Sequence, residues 1–194
     1  MAKEKNKITE IEVEEINKDE EIIVTEKVKN NSKVKKFIKE LIPYVIILIV
    51  VMLIRTYLFT PIMVSGPSMQ PTLDGGELMI LNKRGTFDRF DVVVVDIGYE
   101  DIIKRIIAMP GETISCENGI VYVNGRKQEE SYSKGITSDF EKIKLRDDEY
   151  FVMGDNRQNS KDSRHVDVGP IKEMNMKGTT KLVLFPFNKI GNIE

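Results

Sequence analysis

A candidate nucleophile and a base to activate it are legible in two short segments of the sequence. Ser68 stands in Val64-Ser65-Gly66-Pro67-Ser68-Met69-Gln70-Pro71-Thr72-Leu73. A serine hydroxyl is a poor nucleophile at neutral pH unless a base takes its proton as it attacks, and histidine is the usual base. The sequence holds one His, His165, and one Cys, Cys116. The other available base is a neutral lysine amine, which requires burial to lower its pKa toward the working pH.

Lys104 offers such an amine. It lies in Asp101-Ile102-Ile103-Lys104-Arg105-Ile106-Ile107-Ala108-Met109-Pro110-Gly111-Glu112, where β-branched residues closed by Pro-Gly read as a strand and a turn. Alternation puts Lys104 beside Ile102 and Ile106, and equally puts Arg105 beside Ile103 and Ile107, so periodicity leaves open which side chain is buried. A guanidinium stays protonated, so if either is a base it is Lys104. Bringing a lysine from about 10.4 to near 7 requires roughly 4 kcal/mol of differential destabilisation of the ammonium, which burial among isoleucines supplies. Taken singly, the segments have plainer readings: Ser68 is a turn serine between prolines, and Lys104 is a solvated strand lysine.

A third segment, Gly154-Asp155-Asn156-Arg157-Gln158-Asn159-Ser160-Lys161-Asp162-Ser163-Arg164, reads alone as a polar surface loop. The three together, in this order, resemble the bacterial type I signal peptidases, membrane-anchored proteases with a serine and lysine dyad. The resemblance runs from the apolar segment to near the C-terminus. It implies that Ser68 is the nucleophile and Lys104 the general base. It further implies that Ser160 hydrogen-bonds and orients the lysine amine, that Asp162 and Arg164 pair to brace the loop, and that Asp155 is a structural carboxylate nearby. The backbone N–H of Ser68 is the expected oxyanion donor. Gram-negative members carry a serine two residues before the nucleophile as a second donor, whereas this chain has Gly66, as does the Gram-positive branch it resembles more. Gly66 is expected to permit close backbone approach by a substrate, and Pro67 to fix the chain entering the nucleophile.

The substrates implied are signal-peptide-bearing preproteins, cut after small residues. They would lie extended between the chain around Met63, Val64, Gly66 and Pro67 and the strand start at Asp101 to Lys104, with Ile102 among the contacts. The resemblance also allows contact with the protein export machinery. Ile62, Met63, Met69 and Leu73 suit either a membrane-facing surface or an ordinary core. A different class of reading is a catalytically silent, membrane-anchored β-domain that only binds peptides or partner proteins. Relatives using histidine in place of Lys104 are disfavoured because His165 falls in another motif. Self-cleaving repressors share the chemistry but carry a DNA-binding domain and no anchor.

The elements that position these residues begin with an apolar helix. The uncharged run from Leu41 to Ile54 falls short of the roughly 20 residues that cross a bilayer, but extends to Phe59 if Arg55 snorkels, giving an expected span of 37–59. Pro43 is expected in its first turn and Tyr57 and Phe59 at the far interface. Lys33, Lys35, Lys36 and Lys39 flank the run on one side, and no basic residue follows Arg55 until Lys83. The positive-inside rule then predicts a single-pass protein of the cell membrane, with a cytoplasmic N-terminus and an extracytoplasmic catalytic domain. A cleavable leader is the rival reading, but its removal would free the Ser68 region from the anchor. Residues 1–36 are rich in Glu and Lys and read as a disordered tail.

The remaining residues 60–194 suit one mainly β, antiparallel, barrel-like domain built of short strands. These are Glu77 to Lys83, Asp91 to Asp96, Ile102 to Met109, Thr113 to Cys116, Ile120 to Val123, Glu149 to Met153 and Thr180 to Phe185, with a hairpin at Asn118-Gly119. Residues 111–148 carry more charge, and the resemblance implies a small inserted subdomain there. A lone cysteine excludes an internal disulfide and makes Cys116 a packed strand residue. No metal-ligand spacing or phosphate loop is present, so no cofactor or metal is expected, and the net charge of −2 gives no reason to invoke nucleic acid.

Overall fold

The computed structural model describes residues 35–56 and 59–193; most of the expected tail at 1–36, together with Tyr57 and Leu58, lies outside the described residues. The chain divides into two compact units, Met1–Met52 and Leu53–Glu194. Helix α1, Lys35–Thr56, starts in the first unit and its last four residues fall in the second; its 22 residues are long and apolar enough to cross a membrane. At 1.5 Å per residue it measures about 33 Å, close to the roughly 30 Å hydrocarbon core. Two expectations shift. Phe59, assigned to the end of the span, instead opens the first strand, and Pro43 sits in the interior of the helix because the helix begins earlier, at Lys35.

Strands β1 (Phe59–Met63), β2 (Leu78–Asn82), β3 (Val92–Asp96) and β4 (Asp101–Ala108) are followed by β5 (Thr113–Glu117), β6 (Ile120–Val123), β7 (Arg126–Lys127) and β8 (Phe140–Lys144). The chain ends with β9 (Glu149–Met153), β10 (Ile171–Lys172), β11 (Met176–Phe185) and β12 (Gly191–Asn192). The larger sheet runs β1-β2-β11-β3-β4-β9-β10, with β12 also on β11, and the smaller one runs β7-β6-β5-β8. All strand pairs are antiparallel. The smaller sheet is inserted between β4 and β9, and its two-residue hairpins turn at Asn118-Gly119, as expected, and at Asn124-Gly125, all four residues with positive φ.

Runs of β-branched residues without alternation mark strands buried on both faces. β3 is Val-Val-Val-Val-Asp and β4 is Asp-Ile-Ile-Lys-Arg-Ile-Ile-Ala, and both are buried along nearly their whole length. One face packs Val92, Val94 and Ile103 with Val64, Met69 and Leu73, while Val93, Val95, Ile102 and Ile106 pack with Tyr150 and Val152. Met69 and Leu73 are therefore core residues, and Ile62 packs against them; Met63 alone of the four candidate surface residues is 66% exposed.

A third cluster joins the two sheets: Ile107 and Ala108 of β4 and Phe151 and Met153 of β9 meet Ile114, Cys116, Val121 and Val123 of the insert. Phe151 is fully buried and stacks on Phe140 with ring centroids 5.4 Å apart. Phe151→Ala is expected to destabilise the unit by about 3–5 kcal/mol, read as a lowered midpoint in chemical unfolding followed by circular dichroism.

Candidate active site

Ser68 lies on the loop leaving β1. That loop is pinned from beneath by Met69 and Leu73, and it closes on itself through hydrogen bonds from Gln70 N to Pro67 O (3.1 Å) and Leu73 N to Met69 O (2.9 Å). Gly66 adopts φ +79°, a left-handed conformation that a side chain strains, and a Cβ there would meet open space. Glycine thus answers a backbone requirement at this position.

Lys104 comes from β4, paired in register with Val93. Its side chain is 3% exposed, and Nζ lies 2.9 Å from Ser68 Oγ and 2.8 Å from the Ile103 carbonyl. Burial is the largest influence on the amine and pushes it down from 10.5 to about 8, against the fields of Asp162, Glu100 and Asp155, which favour the charged form. A substantial neutral fraction near physiological pH, within hydrogen-bond reach of a hydroxyl, is the arrangement a general base needs.

Arg105, the next residue, is equally buried, so the strand carries its two cations inward and not one. Asp155 meets Arg105 through both oxygens, at 3.0 Å from Nε and 2.7 Å from Nη2, and also accepts from Thr72 Oγ1 at 2.5 Å. The same carboxylate therefore ties β4 to the loop that carries Ser68. On the other side of the third motif, Asp162 receives Arg164 Nε at 2.7 Å and Nη2 at 2.8 Å, Gly154 N–H at 2.9 Å and Ser160 Oγ at 2.7 Å. Burial alone would raise the Asp162 pKa, but the Arg164 bond and charge, with these other donors, hold it below its ordinary value.

The family comes from comparison of the whole chain with known proteins. Residues 34–185 match the family described as signal peptidase, peptidase S26. The chain is 38% identical over 180 residues to "Signal peptidase I S" of Bacillus subtilis, covering 84% of this chain and 97% of that one. It is 38% identical over 189 residues to "Signal peptidase I" of Bacillus licheniformis, covering 88% and 100%. With "Signal peptidase I T" of Bacillus subtilis it shares 41% identity over 163 residues, covering 75% and 84%. The chain belongs to the signal peptidase family, peptidase S26. It is a bacterial type I member and a serine endopeptidase.

Within this signal peptidase the candidate residues do not all sit where the sequence places them. Ser160 gives its hydroxyl to Asp162, not to the Lys104 amine, because an ionised carboxylate is the stronger acceptor. Ile102 packs its side chain into the core with Val93, Val95 and Ile106, and so is not a substrate contact through that side chain. Val64 is likewise buried, and both its backbone groups are used, N–H to Glu77 O at 2.8 Å and O from Gly76 N–H at 2.9 Å. The exposed candidates are Met63, Gly66 and Pro67, joined by Ser65. Asp101 to Lys104 lie outside the stretch of β4 that pairs with β9, which starts at Arg105, and β1 pairs on one side with β2 and has no second strand partner among the described residues.

Residues without a role in the sequence reading also belong to the site. Arg105 is an ion-pair partner, a function signalled only by its place next to Lys104 on a doubly buried strand, where a fixed charge demands a counterion. Thr72, Asn156 and Arg157 hold the loops together, and nothing in their identity distinguishes them from ordinary loop residues. Cys116 is buried in the insert, and burial pushes its thiol up to about 11. Among the described residues, no group of three or more His, Cys, Asp or Glu converges as a metal donor set.

Gly154 is the tightest point, since a Cβ there would collide with Ser160 Oγ and come within 2.5 Å of Ser68 O. Gly154→Ala is expected to displace both loops and lower peptidase activity at least roughly tenfold, while circular dichroism still reports the β fold.

Proposed function

We propose that this protein is a membrane-anchored endopeptidase that removes N-terminal signal peptides from exported preproteins, with Ser68 as nucleophile and Lys104 as general base. The observation that carries the reading is the buried Lys104 amine, lowered to about 8, at 2.9 Å from Ser68 Oγ. Helix α1 would be the anchor, with its lysine-rich N-terminal flank cytoplasmic and the β unit on the far side of the membrane.

The substrate would lie extended along the exposed residues Met63, Ser65, Gly66 and Pro67 and the start of β4, which pairs with β3 on one edge and lies outside the pairing with β9 on the other, adding strand-like backbone hydrogen bonds. Small residues at the first and third positions before the cut fit the shallow surface such a pairing leaves. Neutral Lys104 takes the Ser68 proton as Oγ bonds to the scissile carbonyl carbon, and the resulting oxyanion is met by the Ser68 N–H. Collapse breaks the C–N bond. The Lys104 ammonium protonates the departing amine, which is the new N-terminus of the exported protein. Water then attacks the ester, again losing its proton to Lys104, and the signal peptide leaves as a carboxylate while Ser68 recovers its proton.

Asp155 and Asp162 act through geometry: the first joins Arg105 to Thr72, and the second joins Arg164, Ser160 and Gly154. N-terminal sequencing of products from a precursor incubated with the detergent-solubilised chain tests the reading. A cut after a small residue, reduced by roughly 1,000-fold or more in Ser68→Ala and in Lys104→Ala, is the expected result; no cut by the wild type sinks it.

The pH profile is a separate check. The active form is the neutral amine, so kcat/KM should rise with pH and level off above about 8, with about a tenth of the plateau value at pH 7. Asp162 raises the lysine's pKa, so Asp162→Asn should move that acidic limb to lower pH even as the plateau falls from loss of the loop brace.

A further inference from the structure

Gly66 leaves the oxyanion hole with the Ser68 N–H as its expected donor, so the direction in which that N–H points matters more here than where a second hydroxyl shares the charge. We propose that Asn156 is the positioning residue for this donor, an assignment that rests on the dyad reading above. Asn156 Nδ2 donates to Pro67 O at 3.2 Å, and the backbone N–H of the same residue donates to Ser68 O at 3.0 Å. One residue thereby holds the carbonyls on both sides of the nucleophile.

The physical link is the planarity of a peptide unit. Pro67 C=O and Ser68 N–H belong to one amide plane, and the cis bonds among the described residues are Gln70–Pro71 and Phe185–Pro186, so this peptide is trans. In a trans peptide the C=O and N–H point in opposite directions, and fixing one fixes the other. Asn156 holds the carbonyl end and so aims the N–H end, without itself reaching the oxyanion. Pro67 O also accepts from Gln70 N at 3.1 Å, which uses its two lone pairs, and hydrogen bonds at a carbonyl polarise the amide and strengthen its N–H as a donor. A carbonyl only accepts, so the amide nitrogen and not the oxygen of Asn156 must face it.

The clamp has firm footing. Asn156 forms a parallel bridge with Lys134 of the inserted loop, flanked by bonds from Lys134 N to Asp155 O (2.7 Å) and from Arg157 N to Lys134 O (2.9 Å). Arg157 is itself buried and bonded to Glu130, Thr137 and the Gly154 carbonyl. On the other side, Pro67 fixes its own φ, and Gly66, at φ +79°, stands one residue further upstream, so the ψ of Pro67 is the torsion left for Asn156 to hold.

The test uses the detergent-solubilised full chain as wild type, Asn156→Ala and Asn156→Asp, with a precursor peptide spanning a cleavage site and a peptide aldehyde ending in alanine. Ser68 Oγ adds to the aldehyde carbon, its proton passing to Lys104, and the aldehyde oxygen takes the oxyanion position. In Asn156→Ala, kcat should fall on the order of tenfold with KM within about twofold, and aldehyde affinity should fall in parallel. The acidic limb of the pH profile should stay in place, since Lys104 keeps its surroundings. Asn156→Asp keeps the shape but loses the donor, and should lose at least as much. An unchanged kcat in either variant, a loss confined to KM, or an acidic limb displaced in Asn156→Ala overturns the assignment. Asn156 is part-exposed, so both variants are expected to fold, with unfolding midpoints that match the wild type as the control. Absence of cleavage by the wild type overturns the peptidase reading and this inference together, whereas wild-type cleavage with undiminished Asn156→Ala turnover overturns the inference alone.

Discussion

Two consecutive cations, Lys104 and Arg105, are both taken out of water on one strand, and they are treated in opposite ways. The lysine is left without a carboxylate bonded to it, so that burial lowers it to about 8, while the arginine, which cannot lose its proton, is given Asp155 through two bonds. Pairing the lysine with a carboxylate would keep it charged and useless as a base. Leaving the arginine alone would strand a buried charge at a cost of several kcal/mol. Much of the third motif serves to keep these two environments apart. Asp155 is committed to Arg105 and Thr72, and Asp162 to Arg164, Ser160 and Gly154.

The Ser160 bond belongs to this division. Its hydroxyl satisfies Asp162, and Asp162 lies near enough to Lys104 to raise its pKa by field alone. The carboxylate that braces the loop thus also limits how far burial lowers the amine. The inserted sheet is drawn into the same framework. The ring centroid of Tyr132 lies 4.3 Å from the Arg105 guanidinium and 5.9 Å from that of Arg157, and Arg157 is paired to Glu130. A segment poor in apolar residues therefore contributes to the site by cation–π and ionic contacts rather than by supplying a reacting group.

The strands that could be read directly were those whose pattern matched their burial. β3, β4 and β9 are apolar on both faces and sit in the middle of the large sheet, and the Asn118-Gly119 turn forms its hairpin. Other strands were hidden for identifiable reasons. β1 contains Pro61 and continues an apolar run, so Phe59 looked like the end of a membrane helix; on a strand paired along one side, a missing N–H is tolerated. β8, Phe140–Lys144, has a mostly exposed, charged pattern and is recognisable only from its partner β5. Met69 and Leu73 were ambiguous between a membrane face and a core because apolar identity does not say which apolar environment receives it.

Residue types and order along the chain carried the family and the proposed chemistry: one serine on a Gly-Pro turn, one strand lysine beside an arginine, and a loop of carboxylates and arginines. Those features are local, because a hydroxyl, an amine and a turn are properties of a residue and its neighbours. Which of the two cations loses its charge, which carboxylate takes which arginine, and that Ser160 turns to Asp162 depend on groups 36 to 50 residues apart meeting in a dry interior, or on competition for one acceptor. Burial and partner choice are set by the whole packed sheet, and no pattern along a single strand records them.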